Sequence, residues 1–205
     1  MENLQEIIDQ IEKNLDDKDA IREVALKSCR AITRISTSIT QGVHRKEDVQ
    51  ELFNNARDEA SRLRSLVQEH PDLLHSGFVQ SAFQELCEAA ILLSVIRGEK
   101  LPTPKELAVT DTSYLLGMAD AIGELRRFTL ECLREEDVKS ASSYLEKMEK
   151  FYEMLLRFNY PNALVSIRRK QDIARSLIEK TRGELTVALR SRSLEKKIEY
   201  LQNKI

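Results

Sequence analysis

Apolar positions recur along this chain at the three- and four-residue spacings of amphipathic α-helices. From residue 2 to about 16, Leu4, Ile7, Ile8, Ile11 and Leu15 share one side and predict a first helix. Asp16, Asp17 and Asp19 then offer N-caps and predict a break. A second helix follows from about Lys18 to Gly42, where the glycine reads as a C-terminal stop. A third, from about Lys46 to Glu69, is heavily charged, with the close Arg and acid pairs of a solvent-facing helix. His70-Pro71 ends it, and a turn leads into the stretch on which the chain is organised, Phe78 to Arg97. That stretch is apolar nearly all round, with no Gly or Pro, and predicts a buried central helix. Its arc of Phe78, Ala82, Ala89, Leu92 and Ile96 also contains Glu85, with Glu88 at the border.

A loop from Gly98 to about Val109 holds both prolines of the middle region. Thr110-Asp111-Thr112 caps a fifth helix that runs to about Arg134. Leu115, Met118, Ile122, Leu125 and Leu133 form its apolar side. Gly117, Asp120, Glu124, Arg127 and Glu131 form the opposite stripe, which periodicity alone places in solvent. Two glycines inside this helix each cost about 1 kcal/mol against Ala and point to a close approach. A sixth helix spans about Asp137 to Phe158, and a seventh about Asn162 to Leu189. The tail carries a weak helical pattern that fits either a terminal helix or a frayed end.

These elements predict an all-α fold of about seven helices in a single domain, residues 1–205, with residues 1–17 and 191–205 peripheral. Composition agrees. The chain has 205 residues, 32% of them charged, 5% aromatic, with no Trp and only 6 Gly and 4 Pro, which leaves little material for sheets. The formal net charge of −2 gives no global basic field, so polyanion binding has to come from a local patch. Lys27, Arg30 and Arg34 lie on one face of the second helix, which by spacing alone reads as a solvated face before it reads as a binding patch. Cys29, Cys87 and Cys132 lack metal-type spacing and read as reduced core thiols of an intracellular protein. From the acidic, amphipathic first residues no signal peptide is expected, and because Glu85 and Glu88 interrupt the longest apolar run, no transmembrane helix is expected either.

No Gly-rich phosphate loop, nucleophile elbow or Cys/His cluster is present. His44, His70 and His75 lie at helix ends, where surface roles are commoner than ligation. What remains is carboxylates. Buried acids are rare unless paired, hydrogen-bonded or metal-bound. Glu85 and Glu88 are spaced i, i+3, and Asp120 and Glu124 i, i+4, so each pair shares a helix face. Were helices four and five antiparallel across their loop, the four acids could converge. Oxygen donors without His suit Mg²⁺ or Mn²⁺, the usual apparatus of phosphodiester hydrolysis. The alternative is a wet stripe covered by a Lys or Arg from elsewhere.

Gln84-Glu85-Leu86-Cys87-Glu88-Ala89 resembles the Gln-Glu-x-x-Glu-Ala segment of translin-associated factor X. Tyr114-Leu115-Leu116-Gly117-Met118-Ala119-Asp120-Ala121-Ile122-Gly123-Glu124-Leu125 is very similar to its Tyr-Leu-Leu-Gly-x-Ala-Asp-x-x-Gly-Glu-Leu segment. Ala20 to Val24 and Gln41 to His44 look like the N-terminal region of translin. The resemblance, to the translin superfamily and closest to its factor-X-like archaeal type, covers most of the chain. It implies a seven-helix fold assembled into a hollow barrel-like oligomer, commonly an octamer. It further implies a cytoplasmic, Mg²⁺-dependent endoribonuclease (Mn²⁺ as alternative) that cuts single-stranded RNA inside the barrel. On this resemblance Glu88 and Asp120 are direct ligands, and Glu85 and Glu124 complete the shell or orient water. Lys27, Arg30, Arg34 and Arg127 hold the RNA backbone from the cavity wall, and the stripe of helix five faces water inside the cavity. The loop after Gly98 is shorter than in animal factor-X proteins. Two alternatives stay open: a binding-only protein for single-stranded RNA or DNA, with vestigial acids, and a purely structural helical assembly. No membrane partner is expected.

Overall fold

The computed structural model describes residues 3–203. They form seven α-helices and, among the described residues, no strand: α1 Leu4–His44, α2 Gln50–Val67, α3 Pro71–Leu74, α4 Gly77–Arg97, α5 Asp111–Arg134, α6 Val138–Leu155 and α7 Arg168–Gln202. The all-α expectation and the helix number hold, but the chain divides them differently.

The first two predicted helices are one. Asp16, Asp17 and Asp19 do not break α1, whose 41 residues run through them. An interior Asp costs a helix at most about 0.7 kcal/mol, far less than Pro. Lys18 pairs with Asp72 at 2.5 Å, and Arg22 holds Asp19 and Glu23 along the helix surface. Gly42 is not a stop either. It lies inside α1, and a Cβ there would stand 2.4 Å from Val49 Cγ1, so the glycine admits the following turn against the helix. The turn before α4 contains the short α3, which opens on Pro71, where a missing N–H costs nothing. At the far end, residues 162–167 are not helical, although Val165 and Ile167 are buried. The helix begins at Arg168 and continues through the tail to Gln202.

The chain falls into two compact units, Met1–Gly117 and Met118–Ile205. In the first, α1 packs along α4 and against α2. Ile32 and Ile39 of α1, Leu63 of α2, and Phe83, Leu86, Ile91 and Leu92 of α4 are fully buried. Each such side chain contributes about 1.5–3 kcal/mol relative to exposure. By length and composition α4 could cross a membrane, but its apolar side chains form this core, and half-buried Glu85 and Glu88 sit midway along it.

The direction of α5 follows from its first two turns. Gly98 closes α4 in the left-handed region, at φ 69°. The loop then turns on a reciprocal Thr103–Glu106 box and buries Leu107 completely. Tyr114 donates its hydroxyl to the Pro102 carbonyl at 2.8 Å. Ser113 Oγ donates to the carbonyl of Gln80, near the start of α4, at 3.0 Å. One turn on, Gly117 meets Gln84, Cys87 and Glu88. Contacts that advance together along both helices mean that this part of α5 runs parallel to α4. The antiparallel arrangement does not occur here. From Gly98 back to Gln80 is roughly 30 Å at 1.5 Å per helical residue, and the loop, with a reach of about 3.3 Å per residue, spans it.

In the second unit α6 packs on α7, burying Ala141, Met148 and Leu155 of one and Ala174 and Ile178 of the other. Arg182 of α7 grips Glu149 of α6 at 2.5 Å. Arg126 of α5 makes a bidentate pair with Glu184 of α7, at 2.8 and 2.9 Å, and donates to Thr181 at 2.6 Å.

Candidate active site

Glu85 and Glu88 are both half-buried, on a helix whose intervening residues, Leu86 and Cys87, are wholly buried. A core helix gains nothing by burial from carboxylates at these places, so something polar has to be served there. The backbone beneath them is held unusually close. A Cβ on Gly117 would lie 2.6 Å from the Gln84 carbonyl oxygen, 2.6 Å from Cys87 Cβ and 3.0 Å from the Glu88 amide nitrogen. The glycine lets α5 seat directly on the backbone of the Glu-x-x-Glu turn. The predicted close approach is therefore real at Gly117, while a Cβ on Gly123 would make only an ordinary 4.0 Å contact with Leu177.

Burial pushes the Cys87 thiol far above its ordinary range and the Cys29 thiol up to about 11, the latter only partly offset by a backbone hydrogen bond. Both stay protonated at neutral pH and are no nucleophiles. All three cysteines are free, with Cys132 the least buried. With the native protein at pH 8, maleimide should label Cys132 first, and Cys29 and Cys87 only at the rate of unfolding. Mass spectrometry of timed aliquots reads this. Rapid labelling of Cys87 would contradict the burial.

The stripe of α5 is graded rather than solvent-facing throughout. Gly117 is buried, Asp120 and Glu124 are half-buried, and Arg127 and Glu131 are exposed. Glu124 stands 3.9 Å from Arg127. Asp120 accepts from Lys170, in the first turn of α7, at 2.5 Å, with both side chains about three-quarters covered (28% and 26% exposed). Lys170 is a site residue that helix periodicity does not reveal. Its only sequence signal is the basic run Arg168-Arg169-Lys170, and a partner 50 residues away cannot be read from spacing. Lys27, Arg30 and Arg34 all lie exposed along α1.

Oxygen donors of this kind fit a hard divalent ion in chemistry. Among the described residues, no three His, Cys, Asp or Glu side chains stand together as a ready-made cage. Mg²⁺ does not demand one, since it commonly keeps several waters and takes only one or two carboxylates. The half-buried pair Glu85 and Glu88 meets that requirement, and at Asp120 an ion has to share or displace the Lys170 ammonium.

An all-helical chain whose core helix carries a half-buried acid pair beneath a glycine-seated neighbour is the class defined so far. A model of the Translin family matches residues 2–183. The chain belongs to that family. An uncharacterized protein of Methanocaldococcus jannaschii is 33% identical over 192 residues, covering 92% of this chain and 85% of that protein. The crystal structure of AfC3PO is similar at 34% identity and TM-score 0.82, covering 90% of this chain and 98% of the other. The structure of the AfC3PO–duplex RNA complex is similar at 35% identity and TM-score 0.77, covering 90% and 97%. Apo-NeC3PO, at 20% identity and TM-score 0.79 over 88% and 96%, shares the fold.

Proposed function

We propose that this protein binds RNA and cuts single-stranded RNA by metal-dependent hydrolysis, as a self-associating cytoplasmic assembly, commonly an octamer in its family, with the reaction enclosed. The observation that carries the reading is the half-buried pair Glu85 and Glu88 on the core helix, at the point where Gly117 seats α5. Family membership and a relative solved with duplex RNA support nucleic acid as the ligand. Glu88 and Asp120 would hold Mg²⁺ or Mn²⁺ directly. When bound, such an ion acidifies water and offsets charge on the phosphoryl group in the transition state. Glu85 and Glu124 would accept hydrogen bonds from water and orient the attacking one. Lys27, Arg30, Arg34 and Arg127 would hold phosphates by charge, without reading bases. With few aromatics in the chain, stacking on bases is scarce and sequence preference is weak.

Labelled single- and double-stranded RNA, with Mg²⁺, Mn²⁺ or EDTA, test this. Products from the single strand in either metal, and none in EDTA, are expected. Cleavage that survives EDTA defeats the metal mechanism. The Asp120–Lys170 pair favours a second reading, in which the acids are vestigial and the protein only binds RNA or DNA. Mobility shifts without product in both metals select it.

The cationic face makes a separate prediction. Arg30→Ala should weaken binding equally across RNA sequences and reduce the slope of log affinity against log salt by about one. Fluorescence anisotropy over a salt series measures both, and an unchanged slope removes Arg30 from the interface.

A further inference from the structure

Two apolar stripes lie open on this chain, at the outer ends of its two longest helices. On α1, Leu4, Ile8, Ile11 and Leu15 fall at i, i+4, i+7 and i+11, with Ile7 beside them; their exposures run from 47% at Ile7 to 60% at Leu15. On α7, Val187, Leu194, Ile198 and Leu201 fall at i, i+7, i+11 and i+14, exposed from 45% at Ile198 to 64% at Val187. The α1 set keeps the alternating three- and four-residue step with which one helix beds into another, and the α7 set keeps it from Leu194 to Leu201, with Ser191 at the position between Val187 and Leu194. Both are of similar length, roughly 17 and 21 Å at 1.5 Å per residue. Scattered exposed apolar residues mean little, but a row of four on one helix face marks a surface that is covered by something.

Charge identifies the cover. Around the α1 stripe, Glu6, Asp9, Glu12, Asp16, Asp17 and Asp19 outweigh Lys13 and Lys18. Around the α7 stripe, Arg190, Arg192, Lys196 and Lys197 outweigh Glu195 and Glu199. Each end repels its own kind and attracts the other. In the heptad register of α7, Arg190 and Lys197 flank one side of the apolar row and Glu195 the other, while Glu12 flanks that of α1, so opposite signs border the seam on the Arg190 and Lys197 side. We infer that the acidic apolar end of α1 in one copy of this chain docks on the basic apolar end of α7 in another. Each copy offers one face of each kind. Two such contacts made reciprocally close an isologous dimer, and one made head to tail is heterologous and runs on until a ring closes. This deepens the self-association in the function proposed above and does not depend on cleavage.

Ile11→Lys and Leu194→Asp test it, read by size-exclusion chromatography with light scattering. Each places the wrong charge in one stripe, at a side chain already 48% and 59% exposed. Both variants should keep their helicity and melting temperature; if either does not, Ile11→Ser and Leu194→Ser replace them. Wild type should run as an oligomer and each variant alone at the chain mass of 23.6 kDa. An equimolar mixture should recover one intact junction, between α1 of the Leu194→Asp chain and α7 of the Ile11→Lys chain, and run at twice that mass. Retention of wild-type size by Ile11→Lys, with loss only in Leu194→Asp, would mean that α7 pairs with α7, and overturns the inference while leaving self-association standing. A monomeric wild type at micromolar concentration overturns both.

Discussion

Glu88→Ala should bind RNA as tightly as the unmodified chain and fail to cut it. The carboxylate sits half-buried on α4, and the amide of the same residue lies under Gly117, so the backbone at this place is fixed by the helix–helix seat and not by the side chain. Removing the carboxylate thus deletes a charge without releasing the turn that carried it. Even groups that only support a metal's ligands cost about 10- to 100-fold when removed, so loss of a direct ligand should lower the cleavage rate by on the order of 10²-fold or more. Binding should survive because, in the function proposed above, the exposed cations on α1, Lys27, Arg30 and Arg34, would attract the phosphates, and removing an anion does not weaken that attraction. Single-turnover cleavage and anisotropy on the same RNA separate the two effects. Asp120→Ala should behave alike, with Lys170 released. A Glu88→Ala chain that still cuts at the original rate would take this residue out of the chemistry, and equal loss of binding and cleavage would make its role structural.

What the sequence discloses here depends on distance along the chain. Helix faces repeat every few residues, so the central position of α4, the acids on it and the need for space at Gly117 are all visible in local pattern. Boundaries set by weak preferences are not. Three Asp residues near the middle of α1 read as a stop because they cap helices well, yet in a helix with long-range packing their small cost is overridden, as Lys18 finds Asp72 and Ile32 and Ile39 find the core. Gly42 fails the same way: packing on Val49 explains it, and Val49 lies outside the helix that the periodicity describes. The parallel course of the first turns of α5 beside α4 rests on Ser113 reaching Gln80 and Gly117 meeting Gln84, Cys87 and Glu88, and the loop that allows it, tied by Pro102 to Tyr114, follows a path no periodicity encodes. Asp120 shows both sides. Its face was legible from spacing, its ammonium partner from α7 was not.

Gly117→Ala should destabilise the protein, and Gly123→Ala should not. In an exposed helix interior either change is worth about 1 kcal/mol of stabilisation, since Ala loses less backbone freedom than Gly on folding. At Gly123 nothing opposes that gain, because the new methyl meets only Leu177 at an ordinary 4.0 Å. At Gly117 the methyl would sit 2.6 Å from the Gln84 carbonyl oxygen and 3.0 Å from the Glu88 amide nitrogen. Carbon contacts settle near 3.5–4.0 Å, so the two helices have to part by a large fraction of an ångström, and the obstructing atoms are backbone that cannot rotate away. Overpacking of this kind costs about 1–3 kcal/mol, which cancels the propensity gain and leaves a net loss of up to about 2 kcal/mol. A chain of this size loses about 2–4 °C of Tm per kcal/mol, so Gly117→Ala should melt several degrees lower, Gly117→Val lower still, and Gly123→Ala slightly higher. The shift also reaches the chemistry: a displaced Glu88 amide carries its carboxylate with it, so Gly117→Ala should lose cleavage at temperatures where it remains folded. Calorimetry on the three variants, with cleavage measured well below each Tm, checks both. A Gly117→Ala chain as stable as Gly123→Ala would mean that α5 does not seat on the Glu-x-x-Glu turn, and the arrangement of acids built on that seat would fall with it.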